Sequence, residues 1–206
     1  MLLENKVALI TGAGSGIGQG IALRFAHEGA KLALVDIRPQ SLEETAAKVK
    51  DAGAQFETYT GDVSLTADVE SFFSQTIERF GRVDICVNNA GVANPPLPLM
   101  SITDEGFDQT IAVNLRGVFL CMRAAAQRMA AQGDGGRIIS VSSQAGKTGL
   151  PDAGPVLRHE GRGDSSHPND GQGARAPEDH RQLRLSWHHR HAASPWHPRP
   201  DIGGDR

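Results

Sequence analysis

Five short apolar runs alternate with four stretches of helical character along the first three quarters of the chain, and this alternation restricts the fold more than any other feature. The runs are 6–11, 32–36, 56–60, 83–88 and 137–142. Val7-Ala8-Leu9-Ile10 presents no polar residue to water, so that strand must be buried on both faces. Strands of this kind pair in parallel and need helical crossovers. Helices are predicted over 17–28, with Ile17, Ile21, Ala22 and Phe25 on one face and Gly29 as the stop, and over 41–50. A third runs from a cap at Ser64 or Thr66 to about Arg79, and a fourth helical region from Thr103 or Asp104 to near Gln132. With right-handed crossovers the economical result is a three-layer α/β/α fold, a doubly wound parallel sheet of strand order 3-2-1-4-5.

Composition divides the chain near Gly154. Residues 1–154 hold both cysteines, all four methionines and every phenylalanine. The 52 residues from Pro155 onward contain no Lys, Phe, Tyr, Met, Thr or Cys, only 11 are apolar, and seven of the eight histidines and both tryptophans fall there. Such a segment buries too little surface to offset the entropy of ordering it, so 155–206 is expected to be a disordered tail on a folded domain over 1–154. The formal charge of −3 divides into −4 for the domain and +1 for the tail, and neither part has the positive field of a nucleic-acid binder. Cys86, in a strand, and Cys121, in a helix, read as small buried hydrophobes rather than a structural disulfide. The chain enters a strand with no basic apolar leader, and no apolar stretch reaches ~20 residues, so a soluble cytoplasmic protein without a membrane partner is expected. His188, His189, His191 and His197 cluster in aperiodic sequence that cannot fix ligand geometry, and no metal site is expected.

The turn after the first strand reads Thr11-Gly12-Ala13-Gly14-Ser15-Gly16-Ile17-Gly18. Four glycines in seven positions let backbone approach a ligand closely, and the N–H groups of the following helix point to the same place. The alternative, a mere tight strand-to-helix turn, fits less well with a strand before, a helix after and a β-α-β continuation. Gly12, Ser15, Gly16, Ile17 and Gly18 are therefore expected to hold the pyrophosphate of a dinucleotide in a Rossmann-type site. Asp36 ends the second strand, where a carboxylate accepts the ribose hydroxyls of NAD and repels the 2′-phosphate of NADP. The other reading of Asp36 is a surface residue of a β-α turn, and Arg38 is close enough to keep NADP from being excluded. NAD is the expected cofactor. Asp62 and Val63 follow the third strand, placed for the adenine amino group and ring. Asn88-Asn89-Ala90-Gly91 leaves the fourth at the same edge, where Asn89, Ala90 and Gly91 can let the cofactor pass while tying backbone together. Asn114, inside the long helix, either makes a local structural bond or supports a polar active-site network.

Together, T-G-x-x-x-G-x-G at 11–18, Asp36, Asp62-Val63, N-N-A-G at 88–91, Asn114 and I-S-V-S-S-Q-A-G at 139–146 resemble the classical short-chain dehydrogenase/reductase family over residues 1–154. The resemblance implies NAD-dependent interconversion of a small secondary alcohol and a carbonyl. It implies that Ser143 holds and polarises the substrate carbonyl and that Asn114 helps to order a proton-relay water. In the family a tyrosine then transfers the proton, and a lysine four residues later lowers its pKa and binds the nicotinamide ribose.

Here the chain departs from the pattern. The tyrosine belongs 13 residues after the serine, where Val156 stands, and the lysine position holds Glu160; the one tyrosine in the chain is Tyr59. Codons for Val156 through Gly161, read one base later, permit Tyr-Ser-Ala-Thr-Lys in the required register. Those for Arg181–His191, read in the same frame, permit a Pro-Gly-x-x-x-Thr segment like the family's. The expectation is that the chain beyond about Pro155 is an out-of-frame translation of an ordinary dehydrogenase gene. As written it lacks the helix after the fifth strand and the two further strands. By resemblance it thereby loses half of the family's homo-oligomer interface, so marginal stability and impaired catalysis are expected. The alternative function is a non-catalytic NAD-binding or interaction protein.

Overall fold

A computed structural model of the chain describes residues 1–93 and 97–143. Five parallel strands, β1 (Val7–Thr11), β2 (Lys31–Asp36), β3 (Phe56–Thr60), β4 (Ile85–Asn88) and β5 (Arg137–Ser140), lie in the order β3-β2-β1-β4-β5. This is the doubly wound order expected from the alternation. The crossovers are α1 (Gly16–His27), α2 (Pro39–Asp51), α3 (Thr66–Phe80) and a long helical region from Asp104 to Gln132. Among the described residues no helix is long and apolar enough to cross a membrane. The tail expected over 155–206, Val156, Glu160 and the histidine cluster all lie outside the described residues.

Every residue of β1 is buried, as its unalternated run required. Its side chains alternate between two apolar layers. Leu9 joins Phe72, Phe73, Leu120 and Ala124 from α3 and the last part of the long region. Ala8 and Ile10 join Ala22, Ala26, Leu42 and Val49 from α1 and α2. Each fully buried Leu, Ile, Val or Phe stabilises by about 1.5–3 kcal/mol, so the two layers hold the helices on the sheet. Cys86 and Cys121 both lie in the first layer as free, buried thiols.

Three local expectations are corrected. In α1 the residues carried deepest are Gly18, Ala22 and Ala26, whereas Ile17 is 66% exposed at the mouth of the glycine turn. Its position in the first turn carries it past the sheet edge. Neither Ser64 nor Thr66 caps α3; Leu65 is the N-cap, without a side-chain bond. The turn is instead closed by acids, Asp68 accepting the Asp62 N–H at 2.8 Å and Asp62 accepting the Ser64 N–H at 2.8 Å. The long region is also not one α-helix. It divides into α4 (Asp104–Ile111), a π-helical segment (Ala112–Gly117) and α5 (Val118–Gln132). Thr103 does cap its start, accepting the Gly106 N–H at 3.2 Å.

Candidate dinucleotide site

Parallel strands all point their C-terminal ends to one edge, and the loops leaving β1, β2, β3 and β4 converge there. The first is the glycine turn. Thr11 is buried and its hydroxyl joins two loops: it donates to Val87 O at 3.3 Å and accepts the N–H groups of Asn89 and Ala90, both at 3.1 Å. The Asn89 amide donates to the carbonyls of Thr11 at 3.0 Å and Gly12 at 3.1 Å. The junction leaves no space for side chains. A Cβ on Gly12, whose φ is +64°, would lie 2.8 Å from Ala90 Cα, and one on Gly18 would run into the Gly12 carbonyl. Asn89 and Ala90 thus tie neighbouring backbone, as N-N-A-G suggested.

At the start of α1, Ser15 is the N-cap but makes no side-chain cap bond; its hydroxyl accepts Arg38 Nη2 at 3.1 Å. The first N–H groups of a helix have no acceptor within it, so those of Gly16, Ile17 and Gly18 remain for an anion, and the helix dipole favours one. This donor set, together with a turn in which Gly12 and Gly18 leave no room for a Cβ, fits a pyrophosphate.

Asp36 is only 7% exposed. Its Oδ2 accepts the Gly14 N–H at 2.9 Å and its Oδ1 the Arg38 N–H at 3.0 Å. An ionised carboxylate has about four acceptor positions, so each oxygen keeps one for an incoming hydroxyl. The Arg38 guanidinium lies 3.7 Å from Oδ1 and is largely exposed. A positive charge therefore lies beside the carboxylate, a feature that the sequence only suggested.

Asp62 and Val63 extend β3 at this edge, but Val63 is already buried, and a Cβ on Gly117 would lie 2.8 Å from its Cγ2. Arg116 reaches the same turn, donating to Ser64 O and, at 3.2 Å, to Thr66 Oγ1. Exposed Ile37 and Leu65, one residue beyond Asp36 and two beyond Val63, are apolar side chains at the same edge that sequence reasoning missed.

Asn114 lies in the π-helical segment. Its Oδ1 accepts the Val92 N–H and its Nδ2 donates to the Val92 carbonyl, both at 2.8 Å. Both ends of the amide therefore hold the loop that carries Gly91. Ser143 follows β5 at the same edge and is exposed. The neighbouring strand ends are joined there, Asn88 donating to Ser140 Oγ at 3.2 Å and the Val141 N–H to the Asn88 carbonyl at 2.9 Å. Tyr59, by contrast, lies in β3 at the opposite side of the sheet, where burial pushes its phenol above the ordinary range. Among the described residues no cluster of His, Cys, Asp and Glu could hold a metal.

Known proteins share this arrangement. The family model for short chain dehydrogenase matches residues 6–155. The chain is 45% identical over 151 residues to an uncharacterised oxidoreductase of Thermotoga maritima, covering 73% of this chain and 59% of that protein. It is 42% identical over 148 residues to levodione reductase of Leifsonia aquatica, covering 71% and 55%. Among solved structures, levodione reductase superposes with a TM-score of 0.71 at 40% identity, over 73% of this chain and 59% of that one. NAD⁺-bound xylitol dehydrogenase gives 0.72 at 33%, over 74% and 58%. The chain thus spans less than two thirds of the length of these relatives. Within the matched residues the agreement of sequence and fold is decisive: the chain belongs to the short-chain dehydrogenase family.

Proposed function

We propose that residues 1–154 form the cofactor-binding part of an NAD-dependent oxidoreductase that interconverts a small secondary alcohol and a carbonyl. The observation that carries this reading is Asp36, a nearly buried carboxylate set by two backbone N–H groups beside the uncapped start of α1. The bound nicotinamide would supply hydride transfer. Gly12, Ser15, Gly16, Ile17 and Gly18 hold its pyrophosphate, and Asp36 takes the adenosine ribose. Asp62 and Val63 border the adenine, and Asn89, Ala90 and Gly91 line the passage toward the nicotinamide. NAD is preferred because Asp36 repels a 2′-phosphate, with Arg38 moderating that preference. The names of the relatives, levodione reductase, galactitol 2-dehydrogenase and sorbitol dehydrogenase, support a small hydroxylated or keto substrate.

Ser143 is assigned to the substrate carbonyl. Asn114 is assigned to the support of the active-site loop at Val92. With Val156 and Glu160 at the positions of the proton-transferring pair, the chain as written binds NAD weakly and turns over negligibly, since losing a positioned acid/base lowers the rate by roughly 10²–10⁴. The test is a titration of the full chain with NAD and NADP, followed by a nicotinamide absorbance assay over secondary alcohols and ketones. Saturable NAD binding, weaker NADP binding and absent turnover are expected. Equal affinity for the two cofactors overturns the role of Asp36.

A second reading, a non-catalytic NAD-binding or interaction protein, is favoured by the same two positions, Val156 and Glu160. We infer instead that residues 155–206 are the out-of-frame continuation of a dehydrogenase gene and form a tail outside the folded domain. The coding DNA decides: a stop codon, or no lysine codon, soon after position 155 in the shifted frame sinks this reading. The same tail removes half of the homo-oligomer interface that the family uses.

A further inference from the structure

Thr45 lies on the face of α2 that carries Leu42 and Val49 into the core, and it is fully buried. A helical threonine ordinarily returns its hydroxyl to a carbonyl of the preceding turn, as Thr76 does to Phe72 at 2.6 Å. Thr45 reaches out of its helix instead. It donates to the carbonyls of Ala13, at 3.0 Å, and Gly14, at 3.2 Å, and accepts the side-chain amide of Gln19 at 2.8 Å. Lys48 Nζ donates to Gln19 Oε1 at 2.8 Å, so the amide must turn its nitrogen toward Thr45. A hydroxyl has one proton. With Gln19 donating to its oxygen, that proton is shared between the two turn carbonyls in a three-centre bond.

The Ala13 carbonyl and the Gly14 N–H are opposite ends of one peptide plane. Thr45 holds the carbonyl end, and the N–H end donates to Asp36 Oδ2 at 2.9 Å. A planar trans peptide cannot turn one end without the other. Ser41 closes the remaining space, since a Cβ on Gly14 would lie 2.6 Å from Ser41 Cβ. From this geometry we infer that Thr45 is a positioning residue: acting through the Ala13–Gly14 peptide, it sets the Asp36 carboxylate and with it the recognition of a ribose 2′-hydroxyl. The inference rests on the assignment of Asp36 to the adenosine ribose.

The test compares ADP with 2′-deoxy-ADP by calorimetry on the full chain and on Thr45→Val, Thr45→Ser and Thr45→Cys. The unaltered chain should prefer ADP by about tenfold, the worth of one hydrogen bond to a charged acceptor. In Thr45→Val the ratio should fall below about threefold, because ADP loses more affinity than 2′-deoxy-ADP, and Thr45→Ser should restore it. A merely structural role would weaken both nucleotides alike and leave the ratio alone. An unchanged ratio in Thr45→Val overturns the inference, as does Thr45→Ser behaving like Thr45→Val. Where Thr45→Val shows no cooperative melt, the pair Thr45→Ser and Thr45→Cys carries the comparison: cysteine is a weak donor, and equal ratios in the two overturn the inference. No preference for ADP in the unaltered chain removes the assignment of Asp36 and the inference together.

Discussion

Asp36 shows how a single carboxylate serves structure before it serves a ligand. Its two oxygens accept backbone N–H groups from the glycine turn and from the start of its own β-α loop, so it joins β2 to the turn after β1. Asp36→Ala therefore removes two charge-assisted bonds as well as the proposed ribose contact. We expect NAD affinity to fall by roughly ten- to hundredfold, about 1.5–3 kcal/mol, with a lower melting temperature; titration and a thermal melt of the same sample measure both. The two thiols behave in the opposite way, because both are buried and the Cys86 thiol donates to Asn88 Oδ1 at 3.5 Å. Burial and, less, the neighbouring Cys121 push Cys86 well up, and burial pushes Cys121 up to about 12. At pH 8 only about one Cys121 thiol in ten thousand is ionised, so an aromatic disulfide reagent should find no reactive thiol in the native chain and two after unfolding. Reaction of either at the native rate of a free thiol would show that this core opens.

At the scale of elements, the strands and crossovers were legible because each has its own period. Val7–Thr11 is unalternated and buried; Leu42, Thr45 and Val49 repeat at helical spacing. That spacing also contained a signal for Thr45, a polar residue on an apolar stripe. The π-helical segment left no such mark, since a π turn differs from an α turn by one position of hydrogen bonding and not by residue type. Ile17 misled for a related reason: periodicity identifies a face, but not whether the sheet extends far enough to cover its first turn. The glycine turn, Asp36 and the N-N-A-G loop could be read as a site because their types are hard to explain otherwise, whereas Arg116 on the Ser64 turn could not. The π-helical segment holds both loops, Val92 through Asn114 and the Val63 turn through Arg116 and Gly117. Asn114→Ala leaves the Val92 N–H and carbonyl unpaired, and a loss of about 1–3 kcal/mol is expected in denaturant unfolding. A change below a few tenths of a kcal/mol would mean that water replaces the amide without penalty.

For the whole molecule, both apolar layers end at outer strands that are only half-buried. β3, with Tyr59 and Phe56 half-buried, and β5, with Ile138 and Ile139 half-buried, are the outer strands among the described residues. Val141, Phe107, Leu115 and Phe119 are exposed near β5 or on the long helical region. If the frame is lost after Pro155, these groups gain no further cover. Concentration-dependent light scattering on mild heating is then the expected behaviour, and a concentrated sample that stays clear and monomeric up to its melt would argue against it. A substitution within the closed layers is costly in a different way: Leu9→Ala should lower stability by about 2–5 kcal/mol, measured by denaturant midpoint, since no water reaches the gap.

The Thr11 hydroxyl carries a consequence in time. It accepts the N–H groups of Asn89 and Ala90, so the glycine turn, made by the first twenty residues, is shaped by contacts made some 78 residues later. A nascent chain released as far as α3 would carry every residue of the turn and yet no finished pocket. Ribosome-bound chains arrested with β4 still in the exit tunnel should fail to retain a nicotinamide dinucleotide, and chains arrested beyond α5 should begin to hold it. Ligand capture would thus report the moment of β4 docking during synthesis.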